Sequence, residues 1–174
     1  MASRHPEWDL HLFGEGSQRA ALADQVAAAG LGTRVRLVGM TSAIQDELAS
    51  AHLLAFPSRY EGFPNALGEA MRAGLPTIGY DHVSGVEEMI VPGVTGHLLP
   101  GDGGAAPLAA ALDDLMADPA ARRRLGDAAQ QAGAQWDATI VLKEWECLLL
   151  RTAESLAGPP SDRDNSPSRL ERER

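Results

Sequence analysis

The sequence predicts an α/β domain, a parallel sheet with helices on both faces. Three observations carry this reading. Apolar runs of strand length alternate with helix-length segments along the chain, the order that parallel strands and their crossover helices leave in a sequence. The first of these units and the central one both run strand, glycine-bearing loop, helix. The length of 174 residues fits one domain of ordinary size.

Taken in order, Trp8-Asp9-Leu10-His11-Leu12-Phe13 alternates as a strand does, and Gly14-Glu15-Gly16-Ser17 turns it into an alanine-rich helix ending near Gly30. Gly14-x-Gly16 lacks the third glycine of a dinucleotide fingerprint, since Arg19 stands there, and no Gly-Lys-Ser/Thr follows. NAD and P-loop readings are therefore poor; the pair is a tight turn, with or without a ligand. Arg34 to Gly39 is a second strand, and Ser42-Ala43-Ile44-Gln45 has capping-box spacing for a helix carrying Asp46 to Ala51. Leu53-Leu54-Ala55-Phe56 is a buried strand, ended by Pro57 because proline cannot donate to a ladder. Asn65 is the expected N-cap of a short helix from Ala66 to Ala73, with Gly74 as its left-handed C-terminal cap and Pro76 forbidding continuation. Thr77 to Tyr80 is a strand, Gly85 to Ile90 a short helix, and Gly96 to Leu99 the last strand. Pro107 to Ala117 and Asp118 to about Gln135 are helices, the second with an Asp N-cap and Pro at its first position. A final helix from about Asp137 to Leu156 places Ile140, Val141, Trp145, Leu148 and Leu149 on one apolar face, where Trp145 reads as a core or docking residue. The domain is thus 1–157. The Pro-, Ser- and charge-rich tail 158–174 is expected to be disordered, so its Asp162-Arg163-Asp164 is a poor metal motif, with no surrounding shell to orient it.

The chemistry concentrates in the loop and helix after the central strand. The free N–H groups and positive dipole end of a helix start suit a phosphate or carboxylate, and Gly62 lets such a ligand approach the backbone. Glu61 lies in the loop and Glu69, eight positions later, about one turn inside the helix, so both can face one pocket. Carboxylates beside an anion site would repel a bare phosphate; their natural partners are sugar or ribose hydroxyls. The local chemistry therefore suggests a phosphorylated sugar. A glycosidase pair normally comes from separate strand ends, whereas both glutamates here surround one helix start.

Composition narrows the classes. A formal charge of -9 opposes nonspecific binding to nucleic acid or to an anionic membrane surface. The tail carries four acidic and four basic residues, so the imbalance belongs to the folded part. Cys147 is the single cysteine, which excludes an internal disulfide and a cysteine metal cluster and fits a reducing compartment. No apolar stretch follows Met1 to Pro6 and none reaches membrane-spanning length, so no signal peptide or transmembrane segment is expected. Cytoplasm is the default location, with a peripheral place at the inner membrane face also compatible. The five histidines form no metal-ligand spacing, and Ser58 and Ser84 lack the nucleophile elbow of a hydrolase.

The run from Pro57 through Glu61 and Glu69 to Pro76 resembles the E-x7-E signature of family 4 (group 1) retaining glycosyltransferases of the two-domain GT-B architecture. E-x7-E alone is a weak signal; its twenty-residue context here is a strong one. The likeness spans roughly Trp8 to Leu150, the Rossmann-like C-terminal domain that binds the nucleotide sugar. It implies that Glu69 accepts hydrogen bonds from the ribose hydroxyls and that Glu61, the catalytic candidate, sits beside the donor sugar and its anomeric centre. It further implies that Gly62, Phe63, Pro64, Asn65 and Ala66 form the turn meeting sugar and diphosphate. By the same likeness Gly39 and Met40 hold the base through backbone groups, and a ligand at Gly14 and Gly16 gains support. The implied reaction transfers a sugar from a nucleoside-diphosphate sugar of the UDP class to a glycan or lipid-linked acceptor with retention and without a metal or other cofactor.

The departures matter equally. Family members open this domain with another strand, which ends in an arginine followed by a lysine that grip the diphosphate; neither is expected here, nor is the acceptor-binding N-terminal domain. Gly68 replaces a leucine usual before Glu69. In a 3-2-1-4-5-6 sheet the absent strand is central, so the strands at Leu10 to Phe13 and Leu53 to Phe56 would face each other across a gap. Either they collapse onto one another or a strand from another chain fills the space. Two readings stand: the donor-binding part of a glycosyltransferase, inactive without its N-terminal part, or a noncatalytic remnant or accessory nucleotide-binding module.

Overall fold

The computed structural model describes residues 2–101 and 104–157. The chain divides into two compact units, Met1–Ala134 and Gln135–Arg174. The tail beyond Ala157, with its Asp162-Arg163-Asp164, lies outside the described residues.

In the first unit β1 (Leu10–Phe13), β2 (Val35–Gly39), β3 (Leu54–Ala55), β4 (Thr77–Tyr80) and β5 (Gly96–Leu99) alternate with α1 (Arg19–Ala28), α2 (Ile44–Ser50), α3 (Asn65–Arg72) and α4 (Val86–Met89), and α5 (Ala105–Ala117) and α6 (Pro119–Gly133) follow. Every strand pairing is parallel, as the alternation predicts. The pairing is nevertheless split into a two-stranded sheet, β1-β2, and a three-stranded one, β3-β4-β5. Direct pairing of β1 with β3, one of the expected outcomes, does not occur. Leu10 N donates to Arg34 O, and on β3 Leu54 N and Phe56 N donate to Pro76 O and Ile78 O. Because successive residues of a strand address opposite neighbours, His11 on β1 and Ala55 on β3 belong to edges that no strand covers among the described residues. β3 is two residues long rather than the expected four.

Among the described residues the two core clusters sit around the three-stranded sheet. Ile78, Ala111, Leu115 and Leu125 form one cluster, with Leu53, Leu99 and Leu108 packed against it, so α5 and α6 cover that side. Leu48, Ala70 and Leu75 form another with Ile44 and Leu54, which brings in α2 and α3. Leu53 and Leu54 are consecutive yet serve different clusters, the period-2 signature of a strand buried on both faces. By contrast α1 buries no residue, and Leu10, Phe13 and Val38 of the two-stranded sheet are exposed.

The segment before β1 is fastened down. The Arg34 guanidinium donates to the carbonyls of Ala2 (2.6 Å), His5 (2.5 Å) and Trp8 (3.0 Å from Nε). His5, buried, shares a 2.7 Å hydrogen bond with Asp113 of α5, which also pairs with Arg4 at 2.9 Å. The Trp8 ring meets His52 edge-on, and the Arg122 guanidinium of α6 stacks over it at 4.9 Å.

Two expected caps are corrected. Asn65 is the first residue of α3 and not its N-cap: Pro64 takes that place, and its carbonyl accepts from Leu67 N (3.0 Å) and Gly68 N (3.2 Å). Ser42 builds no capping box; Ala43 precedes α2 without a side-chain cap, because Thr41 Oγ1 accepts from Ala43 N (3.0 Å) in a local turn. The Asp118 cap of α6 is as expected, its Oδ1 accepting from Ala120 N and Ala121 N at 2.9 Å. Gly74 adopts φ +78° just after α3, where the left-handed cap was expected.

In the second unit α7 (Ala138–Ala157) begins at Asp137, whose Oδ1 accepts from Thr139 N (2.9 Å). Of the expected apolar face, Ile140, Trp145, Leu148 and Leu149 are exposed and only Val141 is half-buried. Trp145 is therefore not a core residue.

Candidate functional site

Parallel strands present the loops after their C-terminal ends on one rim of the sheet, where ligands of open α/β folds bind. On the two-stranded sheet this rim gathers the predicted base-binding residues. Gly14 N donates to Gly39 O (2.8 Å), which ties the loop after β1 to the loop after β2. Gly14 and Gly39 have φ of +111° and +84°, conformations that disfavour any side chain. Glu15 Oε1 lies 2.6 Å from where a Cβ on residue 39 would stand. Arg19 steadies that carboxylate at 3.3 Å and donates to Leu37 O at 2.8 Å. Met40 is exposed beside this turn, and nothing crowds Gly16.

On the three-stranded sheet the loop after β3 carries Glu61, half-buried, whose Oε1 accepts a 2.6 Å hydrogen bond from Ser58 Oγ. Gly62 and Phe63 are exposed, and nothing lies within 4 Å of a Cβ built on Gly62. Pro64 is buried because Gly85, at φ +81°, presses on its ring: a Cβ there would come within 2.8 Å of Pro64 Cδ. The start of α3 is thereby pinned between β3 and α4. Asn65 and Ala66 are exposed. Asn65 N donates to Phe63 O (2.9 Å) and the Leu67 and Gly68 amides are taken by Pro64 O, whereas the Ala66 N–H has no acceptor among the described residues. Such an orphan donor at a helix start is what an anion would meet.

Glu69 is half-buried on α3, between buried Gly68 and Ala70. The helix is held by its apolar face, with Leu67, Ala70 and Met71 fully buried. Gly68 sits against α4: a Cβ there would stand 3.2 Å from Met89 Cε, so a larger side chain would first have to displace the end of the Met89 side chain.

The expected site residues therefore form two groups, Gly14, Gly16, Gly39 and Met40 on one sheet and Glu61 to Glu69 on the other. Ser58, Glu15 and Gly85 escaped the sequence reading. A serine three residues before the loop carboxylate was the available signal for Ser58; Gly85 and Glu15 act through contacts between distant segments and left none. A separate cavity of about 430 Å³ at the ends of β4 and β5, lined by Asp81, His82, Pro100 and Gly101, contains none of the predicted residues. Among the described residues no group of three His, Cys, Asp or Glu side chains is placed to hold a metal ion. No described helix is long and apolar enough to cross a membrane.

Comparison with known proteins gives this rim its context. The family model of glycosyl transferases group 1 matches residues 1–132. An exopolysaccharide phosphotransferase of Streptomyces coelicolor is 37% identical over 143 residues, covering 82% of this chain and 15% of that protein. A lipopolysaccharide 1,6-galactosyltransferase of Salmonella typhimurium is 38% identical over 102 residues, 56% of this chain and 28% of that protein. The crystal structure of HepE from Anabaena in complex with UDP-glucose superposes with a TM-score of 0.72 at 25% identity, over 88% of this chain and 42% of that one. The chain thus spans less than half the length of each. A family match over well more than half of the residues, with the same Rossmann-like GT-B fold in the solved relatives, places this chain among the group 1 glycosyl transferases.

Proposed function

We propose that the chain binds the donor of a retaining sugar transfer, a nucleoside-diphosphate sugar of the UDP class. The observation that carries this reading is the start of α3, where the orphan Ala66 N–H lies between Glu61 in the loop and Glu69 one turn into the helix. The diphosphate lies at the exposed turn of Gly62, Phe63, Asn65 and Ala66, Glu69 accepts from the ribose hydroxyls, and Glu61 accepts from the donor sugar. The Gly14–Gly39 turn, with Gly16 and Met40, takes the base. The complex of HepE with UDP-glucose supports the choice of nucleotide. The phosphotransferase shares only 15% of its length with this chain, so its named reaction is not carried over.

In the transfer, the bond from the anomeric carbon to the diphosphate breaks with its electron pair leaving on the diphosphate oxygen, the acceptor hydroxyl oxygen bonds that carbon on the same face, and the hydroxyl proton passes to the departing diphosphate oxygen. No step is routed through a metal or other cofactor; fixed backbone donors offset the departing charge. A glycan or lipid-linked acceptor is held by a further domain, and the reaction takes place in the cytoplasm or at the inner membrane face.

The second reading, an accessory nucleotide-binding module without transferase activity, is favoured by the uncovered edges of β1 and β3. Calorimetric titration with UDP, GDP, ADP and UDP-glucose tests both. We expect UDP to bind, Glu69→Ala to weaken UDP and UDP-glucose alike, and Glu61→Ala to weaken chiefly UDP-glucose. Equal losses of UDP affinity in both variants would sink the division of roles. Sugar transfer assayed on the same preparations is expected to be absent for this chain alone, and robust transfer without a copurified partner would contradict that.

A further inference from the structure

We infer that Ser58 is a positioning residue for the donor sugar, acting through the Glu61 carboxylate; the inference rests on the donor-site reading above. Ser58 is half-buried in the loop after β3, and its hydroxyl oxygen lies 2.6 Å from Glu61 Oε1 and 3.2 Å from the Tyr60 carbonyl. A serine hydroxyl has one proton to give. The 2.6 Å separation is that of a hydroxyl bonded to an ionised carboxylate, whereas 3.2 Å exceeds the usual range for O–H···O, so the proton goes to Glu61.

Glu61 makes no ion pair among the described residues, so this hydroxyl is the group that fixes it. The loop itself supplies little else. Arg59 and Tyr60 between the two residues are exposed, Tyr60 at 90%, and Gly62 follows with open space around it. A glutamate in such a loop would sample several rotamers, and a sugar hydroxyl would have to select one of them on binding. Ser58 makes that selection beforehand. It ties Oε1 back toward the strand end and leaves Oε2 to accept from the sugar, a gain by preorganisation and not by a new contact. Ser58 never touches the ligand, so the effect appears on the sugar and not on the nucleotide.

Calorimetric titration of the full chain with UDP and with UDP-glucose reads the effect as the ratio of the two affinities. We expect Ser58→Ala to lower the preference for UDP-glucose over UDP by about tenfold, the scale of one charge-assisted hydrogen bond, with UDP affinity unchanged within about twofold. Ser58→Thr keeps the hydroxyl and is expected to restore most of the ratio. In the double variant Ser58→Ala, Glu61→Ala the ratio should fall no lower than in Glu61→Ala alone, because both changes remove one interaction. A ratio unchanged in Ser58→Ala while Glu61→Ala lowers it would overturn the positioning role and leave the donor-site reading intact. So would losses that add in the double variant, or an equal loss of UDP and UDP-glucose in Ser58→Ala. A ratio unmoved by Glu61→Ala, or no binding of either ligand by the wild-type chain, would overturn both.

Discussion

At the scale of single residues, charge is used in two ways. Glu61 and Glu69 are half-buried at the rim, Glu61 with its Oε1 bonded to Ser58. Asp113 does the opposite, since it is spent on holding the N-terminal segment. The His5 side-chain hydrogen bond, aided by the charge of Arg4 and opposed by burial, holds its carboxyl below the ordinary carboxylate value. A carboxyl whose value is lowered by folding favours the folded state at every pH above its unfolded value. That contribution fades as pH falls through the lowered folded value. Asp113→Asn is therefore expected to melt at a lower temperature than wild type at neutral pH, with the difference closing in acid below the usual carboxylate range. Thermal melts of both proteins from neutral to acid pH check this; a constant separation across the series would mean that the ionised carboxylate is not the source.

At the scale of elements, glycines and caps decide where helices begin and how closely they approach. Asp118 caps α6 with two hydrogen bonds, and its replacement by Ala should cost about 1 kcal/mol. Gly126, in the same helix, is harder to replace: a Cβ there would stand 2.2 Å from the carbonyl oxygen of Gly74, a backbone atom that cannot swing aside. Gly126→Ala should cost more than the lost cap, about 1–3 kcal/mol from overpacking, despite alanine's better helix propensity. Urea denaturation of the two variants ranks them, and a smaller loss for Gly126→Ala would show that α6 shifts freely against α3. The contrast also marks what a sequence reveals. Asp118-Pro119 announces its helix start because cap and helix are neighbours in the chain, and Gly74 before Leu75-Pro76 announces a helix end for the same reason. The glutamate spacing and the parallel order of strands were equally legible. Asn65 misled because the helix starts one residue earlier than expected, with Pro64 in the N-cap place and no side chain capping it. Ser42 misled because Thr41 made a competing local turn. The 68–89, 85–64 and 126–74 approaches join segments far apart in the chain, and no local pattern encodes them.

At the scale of the whole molecule, stability and the proposed site are unevenly shared. The two apolar clusters described above surround β3, β4 and β5, while β1, β2 and α1 are held by one strand pair, the Arg34 clamp, the His5 and Arg4 ties to Asp113, the contacts of Trp8 and a His11–Glu47 pair at 3.7 Å. The proposed base-binding turn belongs to this thinner part, and the E-x7-E turn to the thicker one. Between them lie two strand edges without strand partners among the described residues, β1 through His11 and β3 through Ala55. Uncovered apolar edges recruit other strands. The chain by itself should therefore either associate through these edges or be only marginally stable, and a partner chain supplying one parallel strand would join the two sheets and bring both halves of the site into register. Sedimentation at rising concentration, thermal melting and amide hydrogen exchange test this together. We expect concentration-dependent association or a low melting temperature, with the amides of β1 and β2 exchanging well before those around Ile78 and Leu115. A monomer that melts high, remains monomeric when concentrated, and yet exchanges freely along both facing edges would contradict the prediction, because the gap would then cost the fold nothing.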